Sequence, residues 1–239
     1  MGQELRFAEI DYWVDLGKRD GAAQMAVDEV ILRHGLNRPL LRVYRWDEPV
    51  ITTGYFEDVA NAREQLNEPR IPLVRRFTGG GTVLHGSDLP YTVIVPKAVG
   101  DEVFGNDRNA SYRAIHRALA VALEESGVMG ISLKEHGDQM PGIPCFQSPV
   151  AADLVETDTG KKLAGAGQRR TRDGMIHQGS VDTLGLDVDL ESFGKTLADL
   201  LAEHSTKVSV ERFGDDFGDR WQSLRASRYG TSEWNRDGK

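Results

Sequence analysis

The sequence predicts an α+β fold: a single domain over residues 1–239 in which a mixed, largely antiparallel β-sheet is flanked by helices. Three observations lead there. β-rich runs arrive mostly in adjacent pairs separated by turn signals, as hairpins do. Helical patterns stand between groups of strands, so the sheet is not of the doubly wound parallel kind. Neither an internal repeat nor a low-complexity linker divides the chain. At 239 residues, with 39% apolar and 28% charged residues, the chain can bury a real core and stays within the range of one large domain.

The elements follow in order. "DGAAQMAVDEVILRHG" sets Met25, Ala26, Ile31 and Leu32 among polar positions and ends at Gly35, which predicts a helix over about 21–34. "LLRVYRW" and "PVITTGYF" alternate around the turn-prone "DEP" and predict a hairpin. "IPLVRRF", "GTVLH" and "LPYTVIV" are further strands, parted by "TGGG" and "GSD". "NASYRAIHRALAVALEESG" is the clearest helix, with Ile115, Ala118, Leu119, Ala122 and Leu123 on one face, Asn109 or Ser111 as cap and Gly127 as the stop. Strands return in "VAADLVE", "KKLAGAGQ" and "GMIHQGSVD". A helix follows in "DLESFGKTLADLLAEH", with Phe193, Leu197, Leu200 and Leu201 as its stripe. Phe213, Phe217 and Trp221 recur four apart in a last helical piece, a core-packing pattern.

Composition narrows the function. A net charge of −8 argues against nucleic acid or an anionic membrane as the main partner. No run reaches the roughly 20 apolar residues of a membrane span, and the start has neither a basic nor an apolar signal region, so a cytoplasmic protein is expected. Arg6 stands where a myristoylation signal would place Ser or Thr. A single cysteine, Cys145, excludes an internal disulfide framework and a multi-cysteine metal site. The basic residues nevertheless cluster, Arg75 with Arg76, and Lys161 and Lys162 with Arg169, Arg170 and Arg172, which suits an anionic ligand or an acidic partner.

Two glycine-rich segments carry chemistry. "RRFTGGGTVLHG" links two strands, and three consecutive glycines let backbone N–H groups approach carboxylate or phosphate oxygens. It has neither the Walker A nor the dinucleotide spacing, and a plain tight hairpin would also account for the glycines. "GKKLAGAGQ" alternates so that Lys162 and Ala164 face one side, and small residues at 164–167 leave room beside the strand. There an ammonium can hold a carbonyl or phosphate oxygen, or serve as counter-ion to a thiolate; a solvated surface lysine is the plainer alternative. Cys145, between Pro144 and Pro149, reads either as a small buried hydrophobe or as a nucleophile whose thiolate fraction a nearby cation raises. A lysine 17 positions on (162 − 145) can return beside it across one hairpin.

These motifs resemble the biotin/lipoate ligase and lipoyl/octanoyl transferase superfamily, through "QMAVDE" (24–29), "RRFTGGGTVLHG" (75–86), "GKKLAGAGQ" (160–168) and "RYGTSEWN" (228–235), over nearly the whole chain. The resemblance implies one biotin/lipoate ligase-like catalytic domain with an acyl tunnel beside the glycine loop and the strand lysine. "PCFQSP" looks like the cysteine segment of LipM-type octanoyltransferases, in which the nucleophile precedes the lysine. Gly81 stands where that type usually has arginine, Gly86 where it has aspartate, and "IHQGS" inverts the usual order around His177. On this likeness Cys145 attacks octanoyl-acyl carrier protein, Lys162 stabilises the thiolate and later helps deprotonate the acceptor amine, and Gly79 to Gly81 stabilise the oxygen. Arg75 and Arg76 steer the carrier, and Thr78, Gly79, Gly80, Gly81, His85, Gly165, Ala166 and Gln168 complete the substrate-binding set. The acceptor is a lipoyl-domain lysine, for example of glycine-cleavage H protein, and neither cofactor nor metal is needed. The alternatives are an ATP-dependent lipoate–protein ligase subunit, using ATP and Mg with Cys145 as bystander, and a non-catalytic homologue that binds acyl groups or lipoyl domains.

Overall fold

The computed structural model describes residues 6–66, 68–105, 107–135 and 149–238. The chain runs through β1 (Phe7–Asp15), α1 (Gly21–Arg33), β2 (Leu40–Tyr44), β3 (Val50–Thr53), α2 (Val59–Leu66), β4 (Leu73–Arg75), β5 (Val83–His85) and β6 (Leu89–Pro96). It continues through α3 (Lys97–Phe104), α4 (Arg108–Glu125), β7 (Ile131–Leu133), β8 (Leu154–Glu156), β9 (Lys162–Arg170) and β10 (Gly174–Val181). α5 (Leu190–Leu201), β11 (Ala202–Lys207), α6 (Phe217–Leu224) and α7 (Ser232–Asp237) complete it.

An 8-stranded sheet takes the order β11-β1-β2-β6-β10-β9-β8-β7. β1 pairs in parallel with β11 and β2, and the remaining neighbours are antiparallel. The predicted mixed sheet is therefore present. Alternation along each strand sorts two cores. Leu41, Val43, Tyr91, Val93 and Val95 pack with Ile115, Leu119, Leu123, Phe193 and Leu197 of α4 and α5. Leu40 and Ile94 point the other way, onto Met25, Ala26, Val30 and Ile31 of α1 together with Phe213, Phe217, Tyr229 and Trp234. Among the described residues, no helix is long and apolar enough to cross a membrane.

The hairpin expected over 40–56 does not form. Both edges of β2 are taken, by β1 and β6, whereas β3 joins β4 and β5 in a separate 3-stranded sheet. That second sheet positions the glycine-rich loop, which spans the gap between β4 and β5. The helix at 109–127 is instead capped by Asp107, whose carboxylate accepts the Asn109 N–H at 2.8 Å. The stripe ending in "AEH" stops at Leu201, because Ala202 turns extended to give β11 a place at the sheet edge. Phe213 and Phe217 do not share one helix, since Gly214 at φ 86 breaks the chain between them, yet their rings stack at 4.8 Å.

The site is supported from beneath by buried charge. Arg42, on the α1 side of β2, is fully buried and bonds Asp15 and Asp28 at 2.6 Å each, with Gln24 as a further acceptor. Asp28 also accepts from Thr92 at 2.7 Å and Gln178 at 2.8 Å. Gln178 in turn accepts the Thr78 hydroxyl at 2.9 Å, so one chain of hydrogen bonds ties α1 and β2 to the glycine loop. Gln24, Asp28 and Glu29 of "QMAVDE" are all buried, and Glu29 is met by Arg33, Arg228 and Tyr229.

Candidate functional site

The glycine loop and β9 face each other across a cleft. Gly80, Gly81, Arg76 and His85 line one side, Lys162, Gly165, Ala166 and Gly167 the other. Met25, Tyr44, Trp46, Val83 and Gln178, with Thr52, Gly179 and Ser180, form the rest of the wall, a mixture of apolar surface and a few convergent polar groups, as in small-molecule sites generally.

The two arginines separate. Arg75 leaves β4 with only 2% exposure, and its guanidinium donates to the carbonyls of Gly54 (3.1 Å), Tyr55 (2.8 Å), Glu57 (2.9 Å), Trp234 (3.1 Å) and Arg236 (2.8 Å). It pins the C-terminal helix to the loop after β3, so it does not present charge to a carrier as the sequence suggested. Arg76 does reach the cleft, donating to Thr52 Oγ1 at 2.6 Å and to the Gly81 carbonyl at 2.7 Å, which shapes the glycine loop from inside. Thr78 and Gly79 support the loop and do not line the cleft.

His85 sits between Thr52, 2.7 Å from Nε2, and Asp88, 2.6 Å from Nδ1. The carboxylate beside it thus comes two residues after Gly86, where the sequence showed none. Burial opposes ionisation of Asp88, but His85, the Ser180 hydroxyl and the Gly86 N–H together hold its carboxyl below the usual range. Trp46 packs on His85 at 4.6 Å between ring centroids.

Lys162 opens β9 with its side chain only 10% exposed, its ammonium 2.8 Å from Asp153, which is fully buried. The stem passes over Gly165: a Cβ there would stand 2.6 Å from Lys162 Nζ, inside van der Waals contact, so the bare glycine makes room for the lysine. Lys161, by contrast, makes a surface pair with Asp182 at 2.9 Å. Arg172 is exposed beside Asp173, but Arg169 and Arg170 are occupied within the chain. Arg169 lies 4.0 Å over the Phe77 ring, and Arg170 donates to the carbonyls of Gly105 and Asp107 at 2.7 and 3.1 Å.

Gln168 faces away from the cleft, into a buried histidine pair. Because the Ala152 carbonyl can only accept, the 2.6 Å contact makes His116 Nδ1 the donor and leaves Nε2 to accept from the Tyr91 hydroxyl at 2.9 Å. Tyr91 then accepts from His177 Nε2 at 3.3 Å, and His177 Nδ1 faces the Gln168 amide at 3.4 Å. Both rings are neutral in this chain. Burial pushes His116 down to about 4 and His177 well below its ordinary value. Cys145 lies outside the described residues.

Sequence reasoning missed Asp153, Tyr112, Asp88 and Trp46. The signal for Asp153 was present: an acid inside the apolar run "VAADLVE", immediately before the strand β8 that pairs with the start of β9. Among the described residues no group of three or more His, Cys, Asp or Glu side chains could hold a metal ion.

The lipoyl protein ligase A/B catalytic domain model matches residues 20–216. Among curated relatives, an octanoyltransferase LipM of Moorella thermoacetica is 33% identical over 176 residues, covering 70% of this chain and 63% of the relative. One of Clostridioides difficile is 30% identical over 204 residues, covering 81% and 73%. The chain thus spans under two thirds of the length of the first relative it matches. A lipoate-protein ligase A solved with ATP superposes with TM-score 0.71 at 20% identity, covering 95% of this chain and 98% of that one. The bi-partite lipoate protein ligase of Thermoplasma acidophilum gives 0.67 at 19%, covering 96% of each chain. At that identity the likeness to the solved structures is one of fold.

Proposed function

The chain belongs to the lipoyl protein ligase A/B catalytic-domain family, and from that premise we propose that it moves an octanoyl or lipoyl group from acyl carrier protein to a lipoyl-domain lysine through Cys145. The thiolate of Cys145 attacks the thioester carbonyl, the bond to the carrier's sulfur breaks, and the carrier leaves as a thiolate that takes up the proton Cys145 gave up on ionising. The acceptor amine then attacks the acyl-enzyme, an amide forms, and the amine proton ends on the departing Cys145 sulfur. The N–H groups of Gly80 and Gly81, which line the cleft, are assigned to the carbonyl oxygen in both steps. The acyl chain is assigned to the cleft between Met25, Tyr44 and Val83, and Arg76, His85, Gly165 and Ala166, which line the same cleft, are assigned as its substrate-facing residues.

The observation that carries this reading is the Lys162 ammonium, held 2.8 Å from Asp153 at the wall of the same cleft as the glycine loop. An ammonium engaged in an ion pair has no lone pair to accept a proton, so its part is to hold negative charge on sulfur or oxygen, not to act as the base. A second reading, an ATP-dependent ligase working with ATP and Mg, is favoured by one feature, the unbroken Gly79 to Gly81 run.

The test is transfer without ATP. The protein is incubated with octanoyl-acyl carrier protein and a lipoyl domain such as glycine-cleavage H protein, and intact masses are recorded. The expected result is an octanoyl adduct on the enzyme, absent in Cys145→Ser, that passes to the acceptor. Modification only when ATP and free lipoate are supplied would replace this reading by the ligase one.

A further inference from the structure

We propose that Asp153 is the positioning residue of this site, fixing where the Lys162 ammonium stands; the proposal rests on the role given to Lys162 above. A lysine ends a flexible four-carbon stem and loses up to about 2 kcal/mol of rotamer freedom when ordered. Something must hold it if it is to meet a developing charge at a fixed point. Asp153 is built to do so from three elements at once. Its carboxylate takes the Lys162 ammonium at 2.8 Å from the start of β9, the Tyr112 hydroxyl at 3.0 Å from α4, and the Val150 N–H at 2.8 Å from its own turn. A buried carboxylate with one partner would be costly, and with three it is a fixed point.

The neighbours of Asp153 are themselves over-determined. The Tyr112 hydroxyl accepts the Ala166 N–H at 2.7 Å and contacts the Ala166 carbonyl at 2.9 Å. Tyr112 therefore locks the carboxylate to the part of β9 that lines the cleft. Within the turn, Ala152 is held at φ 68, a conformation an L-residue adopts only when its surroundings impose it. Its carbonyl accepts from His116 at 2.6 Å, and the backbone of Lys134 pairs with Ala152 and Asp153 on the other side. The turn before β8 has no freedom to follow the lysine, so the lysine follows the turn.

The experiment has two readouts. The first is labelling of Lys162 by acetic anhydride at neutral pH, read by peptide mass relative to the exposed Lys161. In Asp153→Asn, which keeps the shape and removes the charge, Lys162 is expected to label several-fold faster relative to Lys161, because the Asp153 carboxylate no longer holds its ammonium. The second is single-turnover acyl transfer, expected to fall about 10²-fold with the KM for the donor little changed, as for a displaced catalytic group. Should Asp153→Asn fail to fold, Tyr112→Phe removes one of the three supports and should move both readouts in the same direction by less; Lys161→Ala should leave transfer unchanged. Labelling of Lys162 and transfer both at wild-type levels in a folded Asp153→Asn or Tyr112→Phe protein would overturn the positioning role. Wild-type transfer by Lys162→Ala would instead overturn the acyl-transfer role of Lys162 and this proposal with it, a failure told apart because the labelling would still respond to Asp153.

Discussion

Gly167 of β9 lies directly against Gly79 of the glycine loop. A Cβ at position 167 would stand 2.8 Å from Thr78 Oγ1 and nearer still to the Gly79 carbonyl oxygen. The loop and the strand can lie this close because position 167 carries no side chain, whereas a Cβ on Gly79 would meet nothing within 4 Å. Gly167→Ala must therefore move the loop or the strand. A loss of about 1–3 kcal/mol in stability is expected from the overpacking, together with a fall in acyl transfer of roughly 10²-fold from the shifted loop. Thermal unfolding and a transfer assay on the same protein check both; an alanine tolerated in both would show that the loop has slack.

The Arg42 cluster predicts a large and pH-dependent loss. Arg42→Met leaves Asp15 and Asp28 buried without the guanidinium, and removing one partner of such a network costs about 3–5 kcal/mol. In the native protein burial works against the Asp15 charge, but Arg42 and Arg19 prevail and hold its carboxyl low. A depressed carboxyl contributes stability above its unfolded value of 3.8 that is lost as the pH falls through the folded one. Without Arg42 that contribution disappears, so urea unfolding should show the full gap between variant and parent at pH 7 and a smaller one only below pH 3.8, where the parent's own carboxyl takes up its proton.

His116 predicts a separate window. Its folded value of about 4 lies below the ordinary 6.5, so between the two the unfolded chain binds the extra proton. Stability then rises with pH, and on acidification it falls by up to roughly 3 kcal/mol from this group between pH 6.5 and 4. His177, pushed down by burial and by His116, adds in the same direction. Urea midpoints at pH 7, 5.5 and 4.5 measure the slope, and His116→Gln should flatten it in this range while leaving the carboxylate window lower down.

What the sequence made legible was periodic or local. Helix α1 and its Gly35 stop, the α4 stripe and the β8–β9–β10 hairpins follow from spacing and turn residues, and the structure has them. β1 was not foreseen because "FAEIDYWVD" mixes acids into a buried strand; Asp15 is tolerable there because Arg19, four residues on, and Arg42 of β2 both reach it. The false hairpin over 40–56 has the same origin. Local turn signals cannot say that both edges of β2 are already taken by strands far away in the chain. In the site, Lys162 and the glycine loop announced themselves by composition, whereas Asp153 and Tyr112 matter through contacts that only the folded chain makes.

The neighbouring arginines offer the sharpest contrast between sequence and structure, and a final prediction. As charges beside a glycine loop they look equivalent, but Arg75 gives its donors to five backbone carbonyls, while Arg76 holds Thr52 and the Gly81 carbonyl at the cleft. Arg75→Ala strands several buried carbonyls and unpins α7, and a loss of about 2–4 kcal/mol is expected. Its effect on transfer should follow from the lost fold alone, so the dependence of KM on salt should match the parent, because no steering charge has been removed. Arg76→Ala frees the inside of the loop and should lower transfer at temperatures where the protein is still folded. Unfolding curves and salt titrations of KM on the two variants decide it: a flattened salt dependence in Arg75→Ala would mean that this buried guanidinium acts on the carrier after all.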